Sequence, residues 1–130
     1  MSKFNSFEEI ESWKRARVIV RNINSITGQG DFFRDFALKD QVRRSASSIM
    51  VNIAEGFERE GNREFINFLS YAKGSCAETR SHLYIALDND YLSEEEFEDL
   101  NDELKQIGRL IGGLMSYLRK SGIRGSKFKN

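Results

Sequence analysis

Proline is absent from all 130 residues of the chain, which removes the residue that most reliably breaks a helix. Cysteine and histidine each occur once, as Cys76 and His82. A lone thiol closes no internal disulfide, and no basic segment followed by an apolar run opens the chain as a secretory signal would, so a reducing cytoplasm is the expected setting. The apolar runs are too short to span a bilayer. A ferritin-like dinuclear metal site needs carboxylates on all four helices of a bundle and two Glu-x-x-His pairs, which one histidine does not supply. Glu78 and His82 are one helical turn apart, a spacing that predicts a local hydrogen bond rather than a metal site. Cys76 and His82 are separated by about 9 Å of helical rise and point in different directions, which excludes a nucleophile–base contact within one subunit. Cys76 reads instead as a small core residue. No glycine stands in a Gly-x-x-x-x-Gly-Lys or Gly-x-Gly-x-x-Gly setting, so phosphate-binding loops of nucleotide enzymes are missing. These absences leave no candidate catalytic residue, metal site, cofactor or small-molecule substrate, and the chain is expected not to be an enzyme.

What is present is helix. With 39% hydrophobic residues, a chain of this length buries about two thirds of its unfolded surface in one domain. Ser6-Phe7-Glu8-Glu9 has the pattern of a capping box, which predicts a first helix from Ser6 to about Thr27 with Ile10, Trp13, Val20 and Ile23 as its core stripe and Ala16 and Ile19 beside it. Gly28 to Arg34 reads as a loop whose Phe32 and Phe33 fold back over the end of the bundle. Val42, Ala46, Ile49 and Ile53 recur at helical spacing in a second helix, Asp35 to Glu55, which Gly56 is expected to cap in a left-handed conformation. Asn62 reads as the N-cap of a third helix to about Asp88, carrying Phe65, Phe68, Leu69, Ala72, Cys76, Leu83 and Ala86. A second capping box, Ser93-Glu94-Glu95-Glu96, opens a fourth helix with Phe97, Leu100, Leu104, Ile107, Ile111, Leu114 and Leu118 as its stripe. Mostly short connections predict an all-α, antiparallel up-down four-helix bundle over residues 1–120. Residues 121–130 are expected to form a flexible basic tail.

The block Gln41 to Arg59, with Gln-x-Arg-Arg-x-Ala followed by Ser-Ile-x-x-Asn-Ile-Ala-Glu-Gly-Phe, resembles the 23S ribosomal RNA intervening-sequence proteins. Tyr71 to Glu78, the Phe-Glu-Glu-x-Glu-x-Trp-Lys-x-Ala opening at Phe7 and the Asp-Tyr-Leu-Ser-Glu-Glu-Glu-Phe turn at Asp90 extend that likeness over most of the chain. The family, related to the accessory variability determinant of diversity-generating retroelements, implies a four-helix bundle in a bacterial cytoplasm and a homopentameric ring. It also implies association with nucleic acid or a nucleic-acid-processing protein. One departure is Met50, where relatives commonly carry proline, so a kink in the second helix is not to be assumed here.

Small residues crowd the predicted helices: Ser45, Ala46, Ser47 and Ser48, then Gly74 and Ser75, then Gly108, Gly112 and Gly113. A glycine inside a helix costs about 1 kcal/mol against alanine. Two readings fit equally: tight packing within the protomer, or close approach between copies, to which the family resemblance adds weight. Glu55 has the same pair of readings, a contact to a neighbouring subunit or, with Asn52 and Arg59, satisfaction of polar groups where the second helix closes.

Charge sums to zero but is unevenly spread. Lys14, Arg17 and Arg21 recur at helical spacing with Arg15 nearby, Arg43 and Arg44 follow on the second helix, and Arg119, Lys120, Arg124, Lys127 and Lys129 gather at the end. Glu94, Glu95, Glu96, Glu98, Asp99, Asp102 and Glu103 make the start of the fourth helix acidic, which suits its dipole. The functional reading is that Lys14, Arg15, Arg17, Arg21, Arg43 and Arg44 contact RNA or DNA phosphates. The plainer reading is a solvated face with local pairs, such as Asp40 with Arg44, in an oligomer whose partners are proteins only.

Overall fold

This computed structural model describes residues 4–121. A 3-10 turn (Phe7–Glu9) precedes α1 (Glu11–Ile26), a short α2 (Gly30–Arg34), and the long helices α3 (Phe36–Glu58), α4 (Asn62–Asp88) and α5 (Glu94–Ser121). The last turn of α5 reaches one residue past the expected boundary; the remainder of the basic tail, with Arg124, Lys127 and Lys129, lies outside the described residues. No strand occurs among the described residues.

The four long helices are α1, α3, α4 and α5. α1 packs on α3 and α5, α3 on α4, and α4 on α5, closing a ring of neighbours. Along the α3–α4 seam the partners are Ser45 with Thr79, Ser48 with Ser75, and Gly56 with Phe68. Along α4–α5 they are Asn62 with Leu118, Arg80 with Asn101, and Tyr84 with Phe97. In each series one number rises as the other falls, so the neighbours are antiparallel and the bundle is up-down.

Val42, Ala46, Ile49 and Ile53 are fully buried, and α3 runs unbroken through Met50, whose backbone amide is available to the helical ladder. On α1 the order of burial differs from expectation: Ala16, Ile19 and Ile23 hold the centre, while Trp13 and Val20 are half-buried. On α5, Met115 is buried where Leu114 is only half so.

The two capping boxes part ways. At Ser93 both halves form: Glu96 N donates to Ser93 Oγ at 3.0 Å and Ser93 N to Glu96 Oε1 at 2.9 Å. At Ser6 the side chain caps nothing; Glu9 Oε1 accepts instead from Asn5 N at 3.0 Å. The reason is Ile10, which is extended (φ −78°, ψ 123°) and buried, so sinking it into the core ends the first turn and delays α1 to Glu11. Phe7 then folds onto Trp13, ring centres 5.1 Å apart.

Four further expectations are corrected. The segment Gly28 to Arg34 is not all loop, since Gly30 to Arg34 is helical. Phe32 does plug the bundle end, fully buried and stacked at 5.2 Å on Tyr91, but Phe33 is exposed beneath the Lys39 ammonium, 3.9 Å away. Asn62 is no cap: Gly61 takes that place at φ 85°, and buried Asn62 reaches across to donate from Nδ2 to Leu118 O at 3.2 Å. Gly56 does not end its helix either. It lies inside α3, where a Cβ would fall 2.6 Å from Phe68 Cβ and 3.1 Å from Phe65 Cδ1. The glycine is there for the close crossing of α3 and α4, so α3 continues three residues beyond the expected end.

Candidate nucleic-acid interface

The six expected cations are not one patch. Arg15 spans from α1 to α5 as a two-pronged pair, Nε to Glu103 Oε2 at 2.8 Å and Nη2 to Oε1 at 2.9 Å. Those hydrogen bonds hold its pKa above the ordinary guanidinium value and commit it to joining helices. Arg43 is also structural: Nε donates to buried Thr27 Oγ1 at 2.8 Å and Nη2 to Asn24 O at 3.1 Å, tying α3 to the end of α1. Arg44 pairs locally with Asp40 at 2.8 Å, as its spacing suggested. Lys14, Arg17 and Arg21 remain exposed on one face of α1, and none has a carboxylate within ion-pair reach among the described residues. Arg17 lies 6.0 Å from the Trp13 ring centre.

A second basic surface is built by two helices together. Lys73, Ala77 and Arg80 recur along one face of α4, and Lys105, Gly108, Arg109 and Gly112 along the facing side of α5. They line an open groove of about 360 Å³ floored by Cys76 and Leu104. No carboxylate is among the lining residues. Arg80 is oriented by its Nε bond to Asn101 Oδ1, 2.8 Å, on the opposite helix. The glycines keep the seam open: a Cβ on Gly108 would meet nothing within 4 Å, and one on Gly112 would touch Lys73 Cε at 3.4 Å. Burial pushes the Cys76 thiol up to about 12, against the opposing pull of Lys73 and Arg80. The thiol is therefore a neutral floor to the groove rather than a nucleophile. Each helix contributes only two cations, at positions the 3.6-residue period does place on one face; their convergence needed the α4–α5 pairing, which sequence does not display.

Protomer packing accounts for the small residues of the α3–α4 seam, where Ala46 is fully buried and Ser45 accepts from Thr79 Oγ1, but not for three of the glycines. Ser75 is buried and donates to Ser48 Oγ at 3.0 Å, while a Cβ on Gly74, Gly108 or Gly113 would meet nothing within 4 Å. Glu55 pairs with Arg59 at 3.0 Å across the last turn of α3, and Arg59 in turn lies 4.8 Å from the Phe68 ring centre. Asn52 bonds back to Ser48 O and Oγ, both at 2.9 Å. The expected Glu78–His82 hydrogen bond does not form: the atoms stand 3.6 Å apart, too far, and both ring nitrogens of His82 are buried without a hydrogen bond among the described residues. No helix among those residues is long and apolar enough to cross a membrane.

An antiparallel bundle of four long helices with a cationic seam between the last two defines the class. Within it, the chain belongs to the 23S rRNA-intervening sequence protein family, which it matches over residues 8–113. Its fold is similar to the crystal structure of a protein of unknown function from the S23 ribosomal protein family of Bacteroides thetaiotaomicron, with a TM-score of 0.75, 24% identity, and 81% of this chain and 95% of that one covered. No curated protein matches the chain.

Proposed function

We propose that this protein is a non-enzymatic module that binds RNA or DNA, directly or together with a nucleic-acid-processing partner, and acts as a cytoplasmic homo-oligomer, a pentamer by family analogy. The observation that carries the reading is the groove between α4 and α5, where Lys73, Arg80, Lys105 and Arg109 converge without a lining carboxylate. Zero net charge does not oppose it, because seven of the 20 acidic residues sit in the first turns of α5, while Lys105 and Arg109 follow further along the same helix. Phosphates entering such a groove release counterions, and each neutralised phosphate adds about 0.7 to 0.9 to the slope of log affinity against log salt. Lys14, Arg17 and Arg21 supply a second, more exposed set of contacts.

A protein-binding structural oligomer is the second reading, favoured by the bare helical positions Gly74 and Gly113 and by the exposed Tyr71 and Val51. Binding of random RNA and DNA strands at two salt concentrations separates the two. The nucleic-acid reading expects steep salt dependence and a shallower slope after Lys73→Gln, Lys105→Gln and Arg109→Gln are combined. No binding at low salt removes it and leaves the protein-interaction reading.

A further inference from the structure

We infer that the α4–α5 groove is a site for single-stranded nucleic acid, with phosphates seated among Lys73, Lys105 and Arg109 and an unpaired base stacked on Tyr84. The inference rests on the nucleic-acid reading above and adds the kind of strand. Ala77, Arg80 and Tyr84 follow one another at helical spacing on α4, so Tyr84 lies about 6 Å beyond Arg80 along the axis. Its ring packs at 4.6 Å on Phe97, which is itself buried, yet Tyr84 stays 47% exposed. An aromatic ring held by a buried neighbour and still open to solvent is a ready stacking platform, and such platforms beside cationic grooves are how proteins take single strands.

Charge sets the polarity of the site. Glu94, Glu95, Glu96 and Glu98 flank Phe97 on α5, so phosphates are repelled from the Tyr84 end and drawn toward Lys105 and Arg109, leaving the aromatic for a base. A duplex keeps its bases stacked inside and has none to offer Tyr84, whereas a single strand splays its bases and bends its backbone into a short groove. At about 360 Å³ the groove has room for roughly a dozen waters' worth of ligand, a scale that suits a sugar-phosphate segment.

Fluorescence anisotropy with the full-length protein tests this, using a labelled 12-nucleotide single strand, the matching blunt duplex, and a single strand of the same length with abasic sugars. The single strand is expected to bind tighter than the duplex, and the abasic strand about tenfold more weakly than the intact one with an unchanged salt slope, the ratio of one lost base stack. Tyr84→Leu, which keeps apolar bulk over Phe97, should reproduce that loss, and Tyr84→Phe should restore binding. Equal or tighter duplex binding, or an abasic strand that binds as well as the intact one, overturns the single-strand inference while leaving nucleic-acid binding in place. No binding of any of the three overturns both. The abasic comparison uses the unaltered protein, so it holds even where Tyr84→Leu fails to fold.

Discussion

Gly56 and Phe68 meet so closely that a methyl group on the glycine would lie 2.6 Å from the Phe68 Cβ. That atom is anchored to the α4 backbone and has no flexible end to swing away. Overpacking of this kind costs about 1–3 kcal/mol, and the better helix propensity of alanine returns up to about 1 kcal/mol. Gly56→Ala is therefore expected to lower stability by about 1–2 kcal/mol in urea melts. A variant as stable as the parent would mean that α3 and α4 can part at no cost.

The same substitution should act oppositely at Gly74 and Gly113. Both are helical with nothing within 4 Å of an added Cβ, so alanine stabilises the protomer by up to about 1 kcal/mol at each. If copies of the chain approach one another at these positions, the added methyls push them apart. Gly74→Ala with Gly113→Ala is expected to raise the melting temperature of the protomer and lower the mass seen in light scattering. An unchanged mass would place the subunit contact elsewhere.

The helices were legible because two signals coincide: no proline interrupts them, and Val42, Ala46, Ile49 and Ile53 keep a helical period that burial bears out. Their ends were less so, because caps are settled by tertiary demands. Ser6 and Ser93 head the same local pattern, yet only Ser93 caps, since the Ile10 side chain is drawn into the core directly after the first. Gly56 shows the converse, a residue with the local look of a helix end that lies inside the last turn of α3, where the close crossing with Phe68 leaves no room for a side chain. The candidate interface was legible only on α1, where Lys14, Arg17 and Arg21 share one helix; Lys73 and Arg109 become neighbours only once α4 and α5 pack.

Ser93→Ala removes an acceptor that Glu96 N uses at 3.0 Å, a loss of about 1 kcal/mol for an N-cap serine. Ser6→Ala removes no cap bond and should change stability by less than about 0.5 kcal/mol. Paired thermal melts of the two variants check this, and equal losses would show that the first turn depends on Ser6 after all.

Arg43 separates structure from binding. Its Nε–Thr27 bond, 2.8 Å, satisfies a buried hydroxyl, and its Nη2 reaches Asn24 O at 3.1 Å. Arg43→Ala should cost about 1–2 kcal/mol, in the range for partly exposed hydrogen bonds from a charged donor, with little change in the salt dependence of nucleic-acid binding. Arg21→Ala, exposed and unpaired among the described residues, should leave stability within about 0.5 kcal/mol. A loss of binding without loss of stability in Arg43→Ala would return that residue to the interface.

Cys76 reports on the groove from beneath. Burial lifts its pKa from the ordinary 9.0 to about 12, more than the cations Lys73 and Arg80 can offset. At pH 8 the folded protein therefore holds almost no thiolate, and thiolate is the form that reacts with disulfide reagents. Reaction should be slow in the native protein and rapid once it is unfolded in guanidinium. The sign of the linkage follows: between pH 9 and pH 12 the unfolded chain has released this proton while the folded one keeps it, so stability is full below pH 9 and falls as pH rises through that window. Cys76→Ala removes the ionising group, and its melts should decline less than the parent's from pH 9 to pH 11. Equal declines, or fast native labelling at pH 8, would mean that the α4–α5 seam opens readily enough to expose its own floor.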